Sequence, residues 1–226
     1  DEFDFKQFDV HKYDIITGYN HLTQTTTEEY DINHNVVHTT TQTYEYNSPN
    51  NILPSAVNTN NSLNEQLRTT NNYPTDFTGQ SPYDDMINLN IIEPVIQEDN
   101  FKDGKHLYQT FTQYEPLSDL ATDPGPIPVS SQVFVPGIVR KQKGNGSLED
   151  RLHFHQYDRY ANPIELSKEL DTRISYIWNY NHSLPIAEIT NASIGAGVAY
   201  TSFEGDSKGY WNYSGTPYDL ADAVTG

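Results

Sequence analysis

Two histidines are the residues of this chain best suited to bind a metal. His153 and His155 lie on either side of Phe154 in a strand-like run, and Asp158 follows three residues later. Alternate side chains of a strand share a face, so both imidazoles point to one side. Zinc sites use three or four such ligands. Because no third or fourth ligand follows at a suitable spacing, we interpret both histidines as cross-strand or solvent-facing residues and predict no metal and no cofactor.

Paired carboxylates are the groups that support general acid–base chemistry. They occur at Asp84-Asp85, Glu28-Glu29 and Glu149-Asp150. Adjacent side chains of a strand point to opposite faces, so these neighbours do not converge on one substrate. We therefore predict solvated charge at these positions, no catalytic residues and no enzymatic activity.

A third group of residues has the chemistry to stack on sugar rings. Trp211 lies between Tyr210 and Tyr213, in a turn-rich segment that also contains Gly209. Each of these side chains joins a flat apolar ring to a polar tip. We expect Trp211 to be exposed there. This group of aromatic residues indicates an alternative function, a carbohydrate-binding adhesin module.

Composition restricts the partners of the chain. The net charge is -18, whereas nucleic-acid backbones and anionic bilayers attract clustered Lys and Arg. There are no cysteines, which excludes disulfides and thiolate chemistry. No apolar run approaches the length that spans a bilayer. We expect no nucleic-acid partner, no direct membrane insertion and an extracellular location.

The abundance of aromatic residues predicts the fold class. Hydrophobic residues make up 35% of the 226-residue chain, but 17 tyrosines raise the aromatic content to 12%. Disordered chains are poor in such residues. We predict a folded all-β chain whose core is a ladder of aromatic rings between sheets.

Turn signals place most of the chain in successive hairpins. The pair Asp103-Gly104 predicts a hairpin over residues 95–115. Residues 131–141 predict a further strand, and residues 194–215 predict strands and turns again.

One short helix is expected in this otherwise β-rich chain. It runs over residues 84–92, with Met86, Leu89 and Ile92 on one face. Pro94 follows and ends it.

One motif occurs twice in the chain. It consists of Tyr-Asp, three intervening residues and Asn, and it occupies Tyr30, Asp31, Asn35 and Tyr157, Asp158, Asn162. The aspartate can accept backbone N–H bonds across a turn, and Asn tolerates a left-handed conformation. The tyrosine ends a strand, where it can stack on its counterpart and direct its hydroxyl to a partner at the rim.

A strictly alternating strand follows the second copy of the motif. Its residues divide between two faces, with Ile174, Tyr176, Trp178 and Tyr180 on one and Ser175, Ile177 and Asn179 on the other. We predict that the aromatic face packs against neighbouring hairpins, with Tyr157 and Trp178 buried.

These segments resemble the YD-repeat (RHS) family. The run from Tyr176 through Trp178 and Tyr180 to Pro185 is similar to the version found in large secreted bacterial YD-repeat proteins. Family repeats carry Gly just before the final Asn, where His34 and Ala161 stand here. Either the turn has another geometry or these two residues accept backbone strain.

The resemblance implies an architecture and a function. The expected fold is a curled sheet of successive antiparallel hairpins, a partial YD-repeat shell with one short helix and long loops. The expected function is that of a non-catalytic structural or interaction segment of a bacterial cell-surface protein, exported as cargo of an outer-membrane secretion system. Its partners would be the rest of its polypeptide and a protein at the cell surface or outer membrane.

The same patterns divide the chain into four parts. Residues 1–47 form degenerate YD-repeat hairpins. Residues 48–147 contain hairpins, the helix and a proline-rich loop at 116–130. Residues 148–215 match the family best, and residues 216–226 form a linker to a following domain.

Overall fold

The computed structural model describes residues 15, 18–61, 63–120, 133–194, 197–203 and 208–215. Over these residues the predicted all-β class is confirmed: eleven strands form one antiparallel sheet. Most of the predicted proline-rich loop, and the predicted linker at 216–226, lie outside the described residues.

The strands follow one another closely along the chain. They are β1 (Gln24–Tyr30), β2 (Val36–Glu45), β3 (Ala56–Asn60), β4 (Gln66–Asn72), β5 (Gln97–Lys102), β6 (Lys105–Pro116), β7 (Phe134–Lys143), β8 (Glu149–Tyr157), β9 (Pro163–Lys168), β10 (Arg173–Asn179) and β11 (Leu184–Thr190). A 3-10 turn at Pro74–Asp76, a short helix α1 (Tyr83–Asn88) and a single helical turn α2 (Leu117–Leu120) interrupt them.

The sheet is an open meander. Its spatial order is the chain order, β1 to β11, so each strand pairs only with its neighbours in sequence. The expectation of strong curling is wrong, because the sheet is neither closed nor strongly curled. Closure would bring β1 to β11 around a filled interior. In this sheet β1 and β11 remain two separate edges.

The two faces of β10 differ in burial, and the sequence-based assignment of the buried face is wrong. The predicted alternation holds, but Ser175, Ile177 and Asn179 are the buried side chains, whereas Tyr176 and Trp178 are only half-buried. Polar residues can occupy a buried face when they are hydrogen-bonded. Hydrophobicity alone therefore identified the wrong face.

The reason is a segment after β11 that turns back over the sheet. Glu165 on β9 is fully buried. Its carboxylate accepts hydrogen bonds from the Ser193 hydroxyl (2.5 Å) and the Ile194 N–H (3.2 Å). The prediction of further strands at 194–215 is wrong for the described part of that range, where no strand forms. Ala192, Ser193 and Ile194 lie over the sheet face, where they bond to Ser175 and Glu165.

Helix α1 is shorter than predicted. It ends at Asn88, and Asn90 adopts a left-handed conformation with φ 58°. The Asn90 N–H bonds to the Ile87 carbonyl and the Ile91 N–H to the Met86 carbonyl, the pairing of a Schellman motif. Leu89 is therefore the cap and lies outside the buried face of the helix.

The apolar core is divided between two small clusters. One cluster joins α1 to the sheet through Tyr83, Met86 and Ile96, and the other joins α2 to it through Leu117, Val135 and Tyr157. The expected ladder of rings between two sheets is wrong, because the described strands all belong to one sheet. Among the described residues, no helix is long and apolar enough to cross a membrane.

Paired substitutions on β10 test the burial of its two faces. Ile177 is 1% exposed, and Ile177→Ala is expected to lower the free energy of unfolding by about 2–5 kcal/mol, because it opens a cavity. Ile174→Ala makes the same chemical change on the half-buried face and should cost clearly less. Chemical denaturation of both variants provides the comparison. Equal losses would contradict the assignment of the buried face.

Candidate functional site

The repeated Tyr-Asp motif forms the same turn at both of its positions. In the first copy, the Asp31 carboxylate accepts the N–H groups of Asn33 and Asn35, both at 2.8 Å. The Asn35 side-chain amide donates to the other carboxylate oxygen at 3.1 Å. The Asp31 N–H donates to the Asn35 carbonyl and closes the loop. These bonds confirm the predicted role of the aspartate.

The second copy reproduces these bonds almost to the tenth of an ångström. Asp158 accepts the N–H groups of Tyr160 and Asn162, both at 2.9 Å. The Asn162 amide donates to its second oxygen at 3.0 Å. Equal bonding in two separate parts of the chain shows that the motif specifies the turn geometry locally.

The residue before the final Asn accepts backbone strain. His34 has φ 63° and Ala161 has φ 66°, both in the left-handed region. A side chain there costs about 1–2 kcal/mol relative to the right-handed conformation. Of the two alternatives that the sequence left open, the structure therefore shows strain in the expected turn.

A third turn of this kind was not recognised from the sequence. Asn61 replaces the aspartate, and its side-chain oxygen accepts the N–H groups of Leu63 and Glu65, both at 3.0 Å. The Asn61 amide donates to the Glu65 carboxylate at 2.7 Å, so the acid and amide roles are exchanged. Asn64 is left-handed at φ 60°. The signal in the sequence is an Asx residue four positions before a residue that can pair with its side chain.

Asp158 connects its own turn to the next hairpin. It is 5% exposed, and its carboxylate also lies 3.1 Å from Nδ1 of His182, beyond β10. The Asn162 amide donates to the His182 carbonyl at 2.7 Å, and the Tyr160 ring packs on the His182 ring. The second copy of the motif therefore joins two successive hairpins.

The two motif tyrosines differ in burial. Tyr157 is 2% exposed, as predicted, and its hydroxyl donates to the Pro136 carbonyl at 2.8 Å. Burial raises the pKa of Tyr157 above its ordinary value. Tyr30 is 56% exposed, so the expected stacking on a counterpart tyrosine is wrong for this copy. Tyr30 belongs to β1, an edge strand of the described sheet, and no further hairpin covers it among the residues that the structure describes.

The remaining motif residues lie around the β10–β11 hairpin. Trp178 is half-buried and donates from Nε1 to the Pro163 carbonyl at 2.9 Å, so its predicted burial is only partial. Pro185 is its partner in β11. Burial raises the pKa of Tyr176. Tyr180 is exposed and left-handed at φ 53° in the turn.

The proposed sugar-stacking residues are partly accessible. Trp211 is 54% exposed, and Tyr210 is exposed to a similar degree. Tyr213 is half-buried, and the Lys208 ammonium lies 4.7 Å from the centre of its ring. Two of the three predicted rings therefore face solvent.

One face of the sheet carries charged pairs from β2 to β10, and we call it the ion-pair face. Cross-strand partners in an antiparallel sheet share a face, so the strand register assigns these pairs to one side. The pairs are Glu45–Arg68, Asp99–His106, Arg140–Asp150, His153–Glu169 and Glu165–Arg173. These charged pairs lie on the same face as the buried side chains Ser175 and Ile177 of β10.

Arg68, the partner of Glu45, lines a groove on this face. Hydrogen bonds from Arg68, and then from Asn58, lower the pKa of Glu45 to about 2. The groove has a volume of about 630 Å³ and is lined by hydroxyl and amide side chains, with Phe101 among them.

The two histidines have different partners. Their rings stack in parallel at 6.1 Å, so they share a face as predicted. His155 Nε2 lies 2.9 Å from the Ser167 hydroxyl, and burial lowers the pKa of His155. His153 Nε2 lies 2.5 Å from Glu169. Asp158, which the sequence suggested as a companion ligand, is engaged in its own turn.

Comparison of the chain with family models, curated proteins and solved structures finds no match. The interpretation of function therefore depends on the turn motif, the open sheet and the side chains described above.

The left-handed turn residue provides a direct test of the motif. His34 is exposed, so His34→Gly removes the strain without opening a cavity. Relief of about 1–2 kcal/mol, less about 0.5–1 kcal/mol for the flexibility of Gly in the unfolded chain, should leave a net stabilisation near 0.5–1 kcal/mol. Chemical denaturation measures it. His34→Ala is the matched control and should not stabilise; a gain equal to that of Gly would show that φ is not the cause.

The Glu45–Arg68 pair predicts acid sensitivity. The pKa of Glu45 is lower in the folded state than its ordinary value of 4.5. The stability that it contributes is therefore complete above pH 4.5 and is lost as the pH falls towards 2. Because the pair is partly exposed, its contribution should stay below about 1 kcal/mol. The difference in free energy of unfolding between the wild type and Glu45→Gln, measured by chemical denaturation, should narrow over this range, and Glu29→Gln, which removes an exposed carboxylate outside this pair, is the control.

Proposed function

We propose that this chain is a non-catalytic structural and interaction segment of a large secreted bacterial YD-repeat protein at the cell surface. The single observation that supports it best is the turn at Asp31 and Asp158, built with the same hydrogen bonds in two hairpins 127 residues apart in the sequence. A recurring hairpin unit suits a scaffold that is extended by repetition. In this proposal the sheet is a piece of the wall of a YD-repeat shell.

The open meander supports a role that depends on partners. Strands β1 and β11 are the two edges of the described sheet. An edge strand presents unpaired N–H and C=O groups to which another strand can add. The partners that we propose are the rest of the same polypeptide and a protein at the cell surface or outer membrane, reached by an outer-membrane secretion system.

Amide hydrogen exchange of the isolated chain tests this proposal. We expect rapid exchange in β1 and β11 and slow exchange in the central strands β6 and β7, because stability in such a sheet falls towards its uncovered ends. Addition of the natural partner segment should slow exchange at one edge only. Uniform protection with a sharply melting monomer would contradict the proposal, because the unit would then be complete without partners.

A carbohydrate-binding adhesin module is the second candidate. The exposure of Trp211 and Tyr210 favours it, because a sugar ring needs an accessible aromatic face. Retention of the chain on a glycan panel, lost in Trp211→Ala, would replace the first proposal with this one.

A further inference from the structure

We propose that Asp150, His153 and Glu169 form a binding site for a divalent transition-metal ion, with Zn²⁺ as the ion that suits it best. Their three donor atoms lie within 4.8 Å of one another. His153 Nε2 is 2.5 Å from Glu169 Oε2 and 3.8 Å from Asp150 Oδ2. The site is independent of the function proposed above.

The strand register brings the three side chains to one face. His153 is opposite Ser167 on β9, and Glu169 follows Ser167 by two positions, so Glu169 lies on the same face as the histidine. The Glu169 N–H donates to the Arg151 carbonyl at 3.0 Å and holds the turn beside the strand.

A β-bulge supplies the third ligand. Asp150 and His153 are three residues apart and would point to opposite faces of a regular strand. The register shifts here, because Asp150 pairs with Arg140 whereas Leu152 pairs with Val139. Arg151 is thus an extra residue, and the shift turns Asp150 to the side of His153. Bulges commonly re-aim a side chain in this way.

Arg140 orients the aspartate for this role. Its Nε donates to Asp150 Oδ1 at 2.6 Å, which leaves Oδ2 as the oxygen facing His153. Outer residues that hold one oxygen of a carboxylate fix the direction of the other and strengthen metal binding.

The donor set and the charge fit zinc. One imidazole nitrogen and two carboxylate oxygens are zinc ligands, with bonds of about 2.0–2.2 Å. Tetrahedral donors around such an ion lie about 3.3 Å apart, between the 2.5 and 3.8 Å found here. Two carboxylates beside Arg140 and a neutral histidine leave one net negative charge. A zinc ion would take the place of the hydrogen bond between His153 Nε2 and Glu169, with the imidazole proton on Nδ1, and partial exposure leaves room for water as the fourth ligand.

The experiment is a calorimetric titration of the 226-residue chain with zinc chloride at neutral pH. We expect one saturable site, weakened at least tenfold by His153→Ala and by Glu169→Gln. Glu169 is exposed, so Glu169→Gln remains informative if the histidine variant fails to fold. Binding of Co²⁺ should give the visible absorption of a low-coordinate site in the wild type only.

His106→Ala is the matched control. His106 also faces a carboxylate, Asp99 at 3.0 Å, but its other ring nitrogen is engaged by the Gly144 carbonyl at 2.8 Å. This variant should bind zinc as the wild type does. The proposal is overturned if the chain shows no saturable zinc binding below the millimolar range, or if His153→Ala and Glu169→Gln both bind like the wild type.

Discussion

The hydrogen bonds of the buried Asp158 carboxylate are the interactions on which the turn between β8 and β9, and its contact with the next hairpin, depend. The carboxylate receives two backbone N–H groups and a side-chain amide from its own turn, and it faces a histidine from the next hairpin. A buried charge is tolerated only when its hydrogen-bonding capacity is satisfied. If the turn opened while Asp158 stayed buried, its carboxylate would lose these partners, so the closed turn is strongly favoured. Asp31 makes the same turn beside the edge strand β1, where its carboxylate is only half-buried and would lose less if the turn opened.

A meander makes such local turns unusually important. Because every strand pairs with its sequence neighbour, no long crossover fixes the sheet from outside. The apolar clusters beneath α1 and α2 are small, and charged pairs recur along the ion-pair face. Partly exposed charge pairs contribute little individually. Turn geometry and the backbone ladder therefore carry much of the specificity that a thick apolar core provides in other folds.

Features encoded over a few residues could be predicted from the sequence. The Asp103-Gly104 hairpin and the Tyr-Asp turns formed as expected, because their chemistry acts within four or five positions. Features decided by distant partners could not be predicted. Ser175 is buried because the chain after β11 returns over Glu165, where the Ser175 hydroxyl donates to the Ala192 carbonyl, and the residue type of Ser175 does not indicate that cover. Helix α1 stops early because Asn90 completes a local cap, a signal weaker than Pro94.

The grouping of Asp150, His153 and Glu169 shows why spacing rules fail at irregular positions. A strict period of two places residues three apart on opposite faces, so it gives no reason to group Asp150 with His153. Because Arg151 is an extra residue, the residues that precede it in β8, including Asp150, lie on the opposite face from the one that a period of two predicts. A bulge leaves no clear mark in a single sequence, because almost any residue can occupy it. A β-bulge breaks the alternation of side chains between the two faces of a strand. In a sheet of this kind it can therefore bring to one face side chains that regular alternation would place on opposite faces.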